Sequence, residues 1–222
     1  MSVSRTCFYH IRRLKQVRKV LGPMLRLNSL VVTSQVFSRL DYCNAVLAGL
    51  SKSAIAPLQW VQNTIARVVA HLGLHDHVTL TLINCHWLPI EQRIVFKLRL
   101  LMHQVDTGRA PSYLRSCVTT SADVTSRSRL RCTSSQRYEW QRTHLKFGER
   151  LFSCAGPRAW NSLPSSLHEL TDTSTFKRHL KPCLFQQASR YICLHCGCPC
   201  SVTNILLTRF ITFRFFLLGL SV

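Results

Sequence analysis

Acidic side chains are scarce in this 222-residue chain: nine Asp and Glu stand against 29 Lys and Arg, a formal net charge of +20. All nine acids lie between Asp41 and Asp172, and no two of them adjoin. Nucleotidyl transfer needs carboxylates to hold the two metal ions that clamp the attacking and leaving oxygens, and no paired-acid motif for that task stands in the sequence. The eight glycines form no G-x-x-x-x-G-K loop, no G-x-G-x-x-G turn and no G-x-S-x-G elbow, so phosphate cradles and the serine-hydrolase nucleophile are missing from the pattern. Ser153, Cys154 and the ten histidines have no such setting. Near the start no apolar core of signal-peptide length follows the basic residues, so a secretory signal is not expected. The opening does share the Arg-rich, acid-free, amphipathic character of a transit peptide, which stays as an alternative.

What is present is enough apolar material for a core: 46% of the residues, which excludes the low-hydrophobicity, high-charge composition of a disordered chain. The excess of cations points to a polyanionic partner, RNA or DNA, engaged through its phosphates. The first 40 residues carry eight Lys or Arg and no acid. The eleven cysteines are odd in number, and seven are scattered from Cys7 to Cys183. Such cysteines read as small core residues in a reducing compartment, nuclear or cytoplasmic.

Periodicity predicts a mostly α protein: an irregular helical bundle with a polar basic linker and a small C-terminal part in which a strand is expected. Residues 7–21 form a basic amphipathic helix with Phe8, Ile11, Leu14, Val17 and Leu21 on one face. Arg12, Arg13, Lys15, Arg18 and Lys19 fill the other, and Gly22-Pro23 stops it. A second helix is expected from Asn28 or Ser29, both competent caps, to Gly49. A third spans about 54–72 on the stripe Ile55, Leu58, Val61, Ile65, Val68 and Leu72, with Gly73 as its stop. Residues 78–86 are ambiguous. The next helix opens at Pro89 and runs through Ile90, Ile94, Leu98, Leu101 and Val105 to Gly108. From Thr119 to Arg142 Ser, Thr and Arg dominate, giving an exposed linker that ends in a strand at His144–Phe147. Helices follow at 149–161 and 173–187, the latter capped by Asp172 or Thr173 and kinked or ended by Pro182. Trp60, Trp87, Trp140 and Trp160 read as core aromatics, with Trp140 placed to stack on a base.

Several ordered strings lie along this route. They begin with Ser38-Arg39-Leu40-Asp41-Tyr42-Cys43-Asn44 and Leu58-Gln59-Trp60-Val61-Gln62-Asn63, followed by Ala66-Arg67. His86-Trp87-Leu88-Pro89-Ile90 leads to Arg93-Ile94 and Lys97, then to Ala110-Pro111 and Tyr113-Leu114. Leu145-Lys146, Gly148-Glu149-Arg150, Phe152-Ser153, Pro157-Arg158 and Trp160-Asn161-Ser162-Leu163-Pro164 come next. Phe176-Lys177-Arg178, Leu180-Lys181 and Leu184-Phe185 close the series. Over residues 7–187 this order resembles the region downstream of the reverse-transcriptase domain in jockey-like LINE-type (non-LTR) retrotransposon polyproteins.

The resemblance implies that residues 1–50 overlap the end of the polymerase's thumb-like part and that Met1 is an internal start. Residues 51–118 would be a helical C-terminal extension, 119–142 the linker, and 143–187 a small subdomain. Residues 188–222 would be a tail outside the resemblance. It also implies that the parental catalytic acids, an aromatic residue leading to paired aspartates, are absent. Asp41 before Tyr42 stands alone and reads as a structural polar residue.

Two clusters bear on metals and membranes. Cys193, Cys196, Cys198 and Cys200, with His195, fall within eight residues. Zinc is a weaker alternative there, since structural sites usually draw two ligands from each of two separated knuckles; no cofactor is expected. His71, His75 and His77 lie at a helix end, where cations complement the dipole. Residues 205–221 hold eleven Leu, Ile or Phe, which together favour insertion by about 3 to 7 kcal/mol. Arg209 and Arg214 oppose it by about 5 to 7 kcal/mol, and the stretch is at the short limit for a span.

The leading expectation is therefore a non-catalytic nucleic-acid-binding fragment. Arg12, Arg13, Lys15, Arg18, Lys19, Arg127, Arg129 and Arg131 would contact phosphates. The alternatives are an open reading frame of a decayed element without selected biochemistry, and a basic protein anchored by its tail.

Overall fold

A computed structural model describes residues 3–21, 33–120, 138–139, 143–145 and 147–196. The chain is mostly helical, as the periodicity requires. Helix α1 is Val3–Leu21. A π-helical turn, Thr33–Phe37, leads into α2, Ser38–Asp41, and a 3-10 turn follows at Asn44–Leu47. Then come α3 Lys52–Ala70, α4 Thr79–Asn84, α5 Ile90–Asp106 and α6 Ser112–Arg115. The strands β1 Thr119–Thr120 and β2 Tyr138–Glu139 pair antiparallel, Thr119 opposite Glu139 and Thr120 opposite Tyr138. A 3-10 turn at Gly148–Arg150 precedes α7 Phe152–Asn161, α8 Ser165–His168 and α9 Thr173–Cys196.

α5 is the central element. Its apolar stripe recurs at three- and four-residue spacing, so one continuous face is buried along its whole length. Ile90, Ile94 and Leu98 join a cluster with Cys7 and Ile11 of α1, Phe37, Leu40, Val61 and Ile65 of α3, and Trp87. One turn further on, Met102 and Val105 join a second cluster built from Trp160, Leu163, Phe176, Leu180 and Leu184. Phe152 packs against both. α5 and α7 approach closely at Gly156, where an added Cβ would sit 2.9 Å from Met102 Sδ.

Asn44, Gln62, Arg99 and His103 are the polar or charged residues buried among the described ones, and the last two tie α5 to its neighbours. Arg99 donates from Nε to Ala159 O at 3.1 Å and from Nη2 to Ser162 Oγ at 3.0 Å. It thus places a cation on the carbonyl end of α7, where the helix dipole favours one. His103 is stacked on Phe176, with centroids 4.2 Å apart, and its Nε2 lies 2.8 Å from Leu170 O.

Five expectations are corrected. The single helix expected to end at Gly49 is three short pieces. Cys43 takes a positive φ of 53°, which breaks an α-helix at that point, while Gly49, φ 69°, stands at the expected end. The start expected at Asn28 or Ser29 lies outside the described residues. The turn is pinned from a distance: Asp41 accepts Arg93 Nε at 2.8 Å on one oxygen and Arg93 Nη2 on the other. The Arg93 guanidinium lies 4.5 Å over the Phe37 ring. α3 is closed by His71 in the left-handed region, φ 56°, rather than by Gly73; the Gly73 N–H instead donates to Asp76 Oδ2 at 2.7 Å.

Within the strand expected at His144–Phe147, His144 and Leu145 form a bend and Phe147 a turn, Lys146 lying outside the described residues, and the ladder falls at Tyr138. There the Asn161 amide accepts the Tyr138 N–H at 3.1 Å and donates to its carbonyl at 2.7 Å. The helix expected at 173–187 continues to Cys196, and Pro182, expected to kink or end it, does not end it. An interior proline costs about 3 kcal/mol. Phe176, Leu180, Leu184 and Phe185 are all buried, and at about 1.5–3 kcal/mol each they outweigh it. Finally, Trp60 is not a core residue: it is 62% exposed, whereas Trp87 and Trp160 are buried as expected. Trp140 lies outside the described residues.

Candidate nucleic-acid interface

α1 is amphipathic in the sense the sequence requires. Cys7 and Ile11 are buried against the first cluster, and burial pushes the Cys7 thiol up, with Arg39 drawing it back down. Arg5, Arg12, Arg13 and Lys15 are exposed. The helix contains no acid at all. The same is true of α3, which packs directly against α1. The nearest carboxylate in sequence, Asp41, is occupied by both nitrogens of Arg93. Nothing on α1 itself therefore neutralises its exposed guanidinium and ammonium groups.

Tyr9 lies in the middle of this face and is 55% exposed. At 3.6 residues per turn, Arg5, Arg12 and Arg13 project within roughly 60° of it around the helix axis. Arg13 Nη1 donates to Tyr9 Oη at 3.1 Å, and the guanidinium carbon is 5.9 Å from the ring centroid. That hydrogen bond raises the Arg13 pKa above its already high ordinary value, and a guanidinium is cationic throughout the range in which proteins fold. Chemically this is an array of forked donors suited to phosphate oxygens, with one aromatic ring among them.

The other expected residues fall as follows. Arg18 and Lys19 belong to the last turns of α1, but their side chains lie outside the described residues, as do Arg127, Arg129 and Arg131. Cys193 and Cys196 are in the last turn of α9, and Cys198 and Cys200 lie beyond the described residues. Among the described residues no group of three His, Cys, Asp or Glu could hold a metal ion. His71, His75 and His77 are exposed. No helix among the described residues is long and apolar enough to cross a membrane, and residues 205–221 lie outside that set.

Three features escaped the sequence reading. Arg5 and Tyr9 belong to the α1 face. The signal was there, since Tyr9 has arginines at i−4, i+3 and i+4, the spacings that share a helix surface. The third is a basic crowding away from α1. Burial, then Arg93, pulls the Lys181 ammonium down; burial, then Lys181, does the same to His86. No spacing rule connects α9, α5 and the turn after α4. Comparison of the chain with known protein families, with curated proteins and with solved structures finds no match.

Proposed function

We propose that this chain is a non-catalytic, retroelement-derived helical module that binds RNA or DNA through the phosphate backbone, with α1 as its principal contact surface. The observation that carries the reading is the acid-free exposed face of α1, where Arg5, Arg12, Arg13 and Lys15 stand together. Phosphate neutralisation by such a face releases condensed counterions and is insensitive to base sequence. The net charge of +20 favours the same class of partner, because a polyanion relieves the self-repulsion of so basic a chain. The ordered strings from Ser38 to Phe185 support the retroelement origin, and a polymerase reading frame in the genomic DNA upstream of the Met1 codon would support it independently.

The test is fluorescence anisotropy with a labelled 20-mer of arbitrary sequence, titrated at several salt concentrations. The expected result is an affinity that falls by orders of magnitude between about 50 and 200 mM salt and is the same for unrelated sequences. An affinity that holds constant through the salt series contradicts the proposal.

A further inference from the structure

A tyrosine hydroxyl can contact a phosphate, but the ring that carries it adds an aromatic face that a phosphate does not use. Tyr9 is 55% exposed although its helix buries Cys7 and Ile11 fully on the other side, so the ring is not a stray core residue. Its hydroxyl is tethered by Arg13, which restrains the ring and keeps a guanidinium beside it. Arg5 and Arg12 flank it along the helix surface and are exposed. The whole of α1, and of α3 behind it, lacks acids, so neither helix supplies a charge that repels an anion. Bases stack on such rings when their faces are free, and cations alongside hold the strand that carries them. A duplex keeps those faces inside its own stack and offers the protein only phosphates and base edges.

We propose that Tyr9 is a base-stacking residue, and that it makes the α1 face select single-stranded over double-stranded nucleic acid. This rests on the backbone-binding reading above, which would by itself give no preference for strands that carry bases. The inference needs only one ring and its arginine flanks. Trp60, exposed on the neighbouring acid-free helix α3, is not required for it.

The discriminating probe is a labelled 20-nucleotide oligo(dT) set against the same sugar–phosphate strand with its bases removed, and against a 20-base-pair duplex. The full chain is expected to bind oligo(dT) about 5- to 100-fold more tightly than the abasic strand, the range one stacked base supplies. Tyr9→Ala is expected to bring the two strands to the same affinity, and Tyr9→Phe, which keeps the ring and loses the Arg13 hydrogen bond, to retain the difference. Equal binding of both strands by the parent chain overturns the stacking role while leaving backbone binding intact. So does a preference that survives in Tyr9→Ala. Failure of all three probes to bind at about 50 mM salt, conditions that favour phosphate contacts, removes the backbone reading and this proposal together. Tyr9-dependent binding to phosphatidylglycerol vesicles without a difference between the strands assigns the ring to a lipid surface and also overturns it.

Discussion

A methyl group on Gly156 would lie 2.9 Å from Met102 Sδ and 3.1 Å from Phe152 Cε2, closer than side chains pack. Gly156→Ala is therefore expected to lower the stability by about 1–3 kcal/mol, the usual cost of overpacking, read as a shifted urea midpoint with an unchanged slope. Better helix propensity for alanine, about 1 kcal/mol, sets the lower end. A stabilised Gly156→Ala variant would show that α5 and α7 approach less closely than described. Arg99 makes the complementary case. Its Nε and Nη2 satisfy Ala159 O and Ser162 Oγ inside the core. Arg99→Ala removes both hydrogen bonds, leaving Ala159 O with only the Ser162 hydroxyl at 2.8 Å, and is expected to cost about 1–3 kcal/mol by the same assay. Neither residue announces its role in the sequence. Glycine next to Pro157 looks like a breaker, and an arginine within a helix looks like a solvated charge; only the crossing of α5 and α7 gives them their tasks. Asp41 was legible as a structural polar residue, but its partner Arg93 is 52 positions away, beyond the reach of any local rule.

Where an element's own residues decide its limits, the sequence is a good guide. α3 and α5 lie within a few residues of where their apolar stripes put them, and α9 begins where expected but runs on past residue 187 to Cys196. Asp172 caps α9 as its residue type suggests, accepting the Thr175 N–H at 2.8 Å and bonding the Ser174 hydroxyl. The Ser174 hydroxyl, then Thr175, holds the Asp172 carboxyl well below its ordinary value of 3.8. A carboxyl depressed in the folded state stabilises it above the unfolded value, near pH 4, and that contribution is lost as the pH falls through the folded one. Asp172→Ala should thus melt below the parent at pH 7, and the gap should close on acidification below about pH 4. A gap that widens in acid would contradict the cap.

Pro182 tests the opposite situation, in which packing overrides propensity. Replacing it by alanine should stabilise the chain by about 1–3 kcal/mol, since the neighbouring turns are already docked; a loss of stability would mean that the proline ring itself is a packing element. The region from Thr33 to Gly49 shows why the remaining elements were not legible. Its stripe is helical, but a contact from α5 and the left-handed Cys43 break it into turns. The position of β2 is likewise fixed by one amide, that of Asn161, from another element.

Across the molecule, charge rather than shape gives the functional reading. The acids are confined to the middle of the sequence, while α1 carries its cations on the side away from the core. The amphipathic pattern of α1 was visible in the sequence, and so were Arg12, Arg13 and Lys15 as its outward cations. Tyr9 was passed over because aromatic residues on a helix are usually buried, and only its exposure separates it from Phe8 beside it. Trp60 was misplaced for the same reason. The measurement closest to the central claim is the salt dependence of oligonucleotide binding by the parent chain and by the variant Arg12→Ala/Arg13→Ala/Lys15→Ala. If α1 is the contact surface, loss of three phosphate contacts should flatten the slope of log affinity against log salt by about 2 on a single strand and about 3 on a duplex. Parallel slopes for the two proteins would place the phosphate contacts elsewhere and contradict the account.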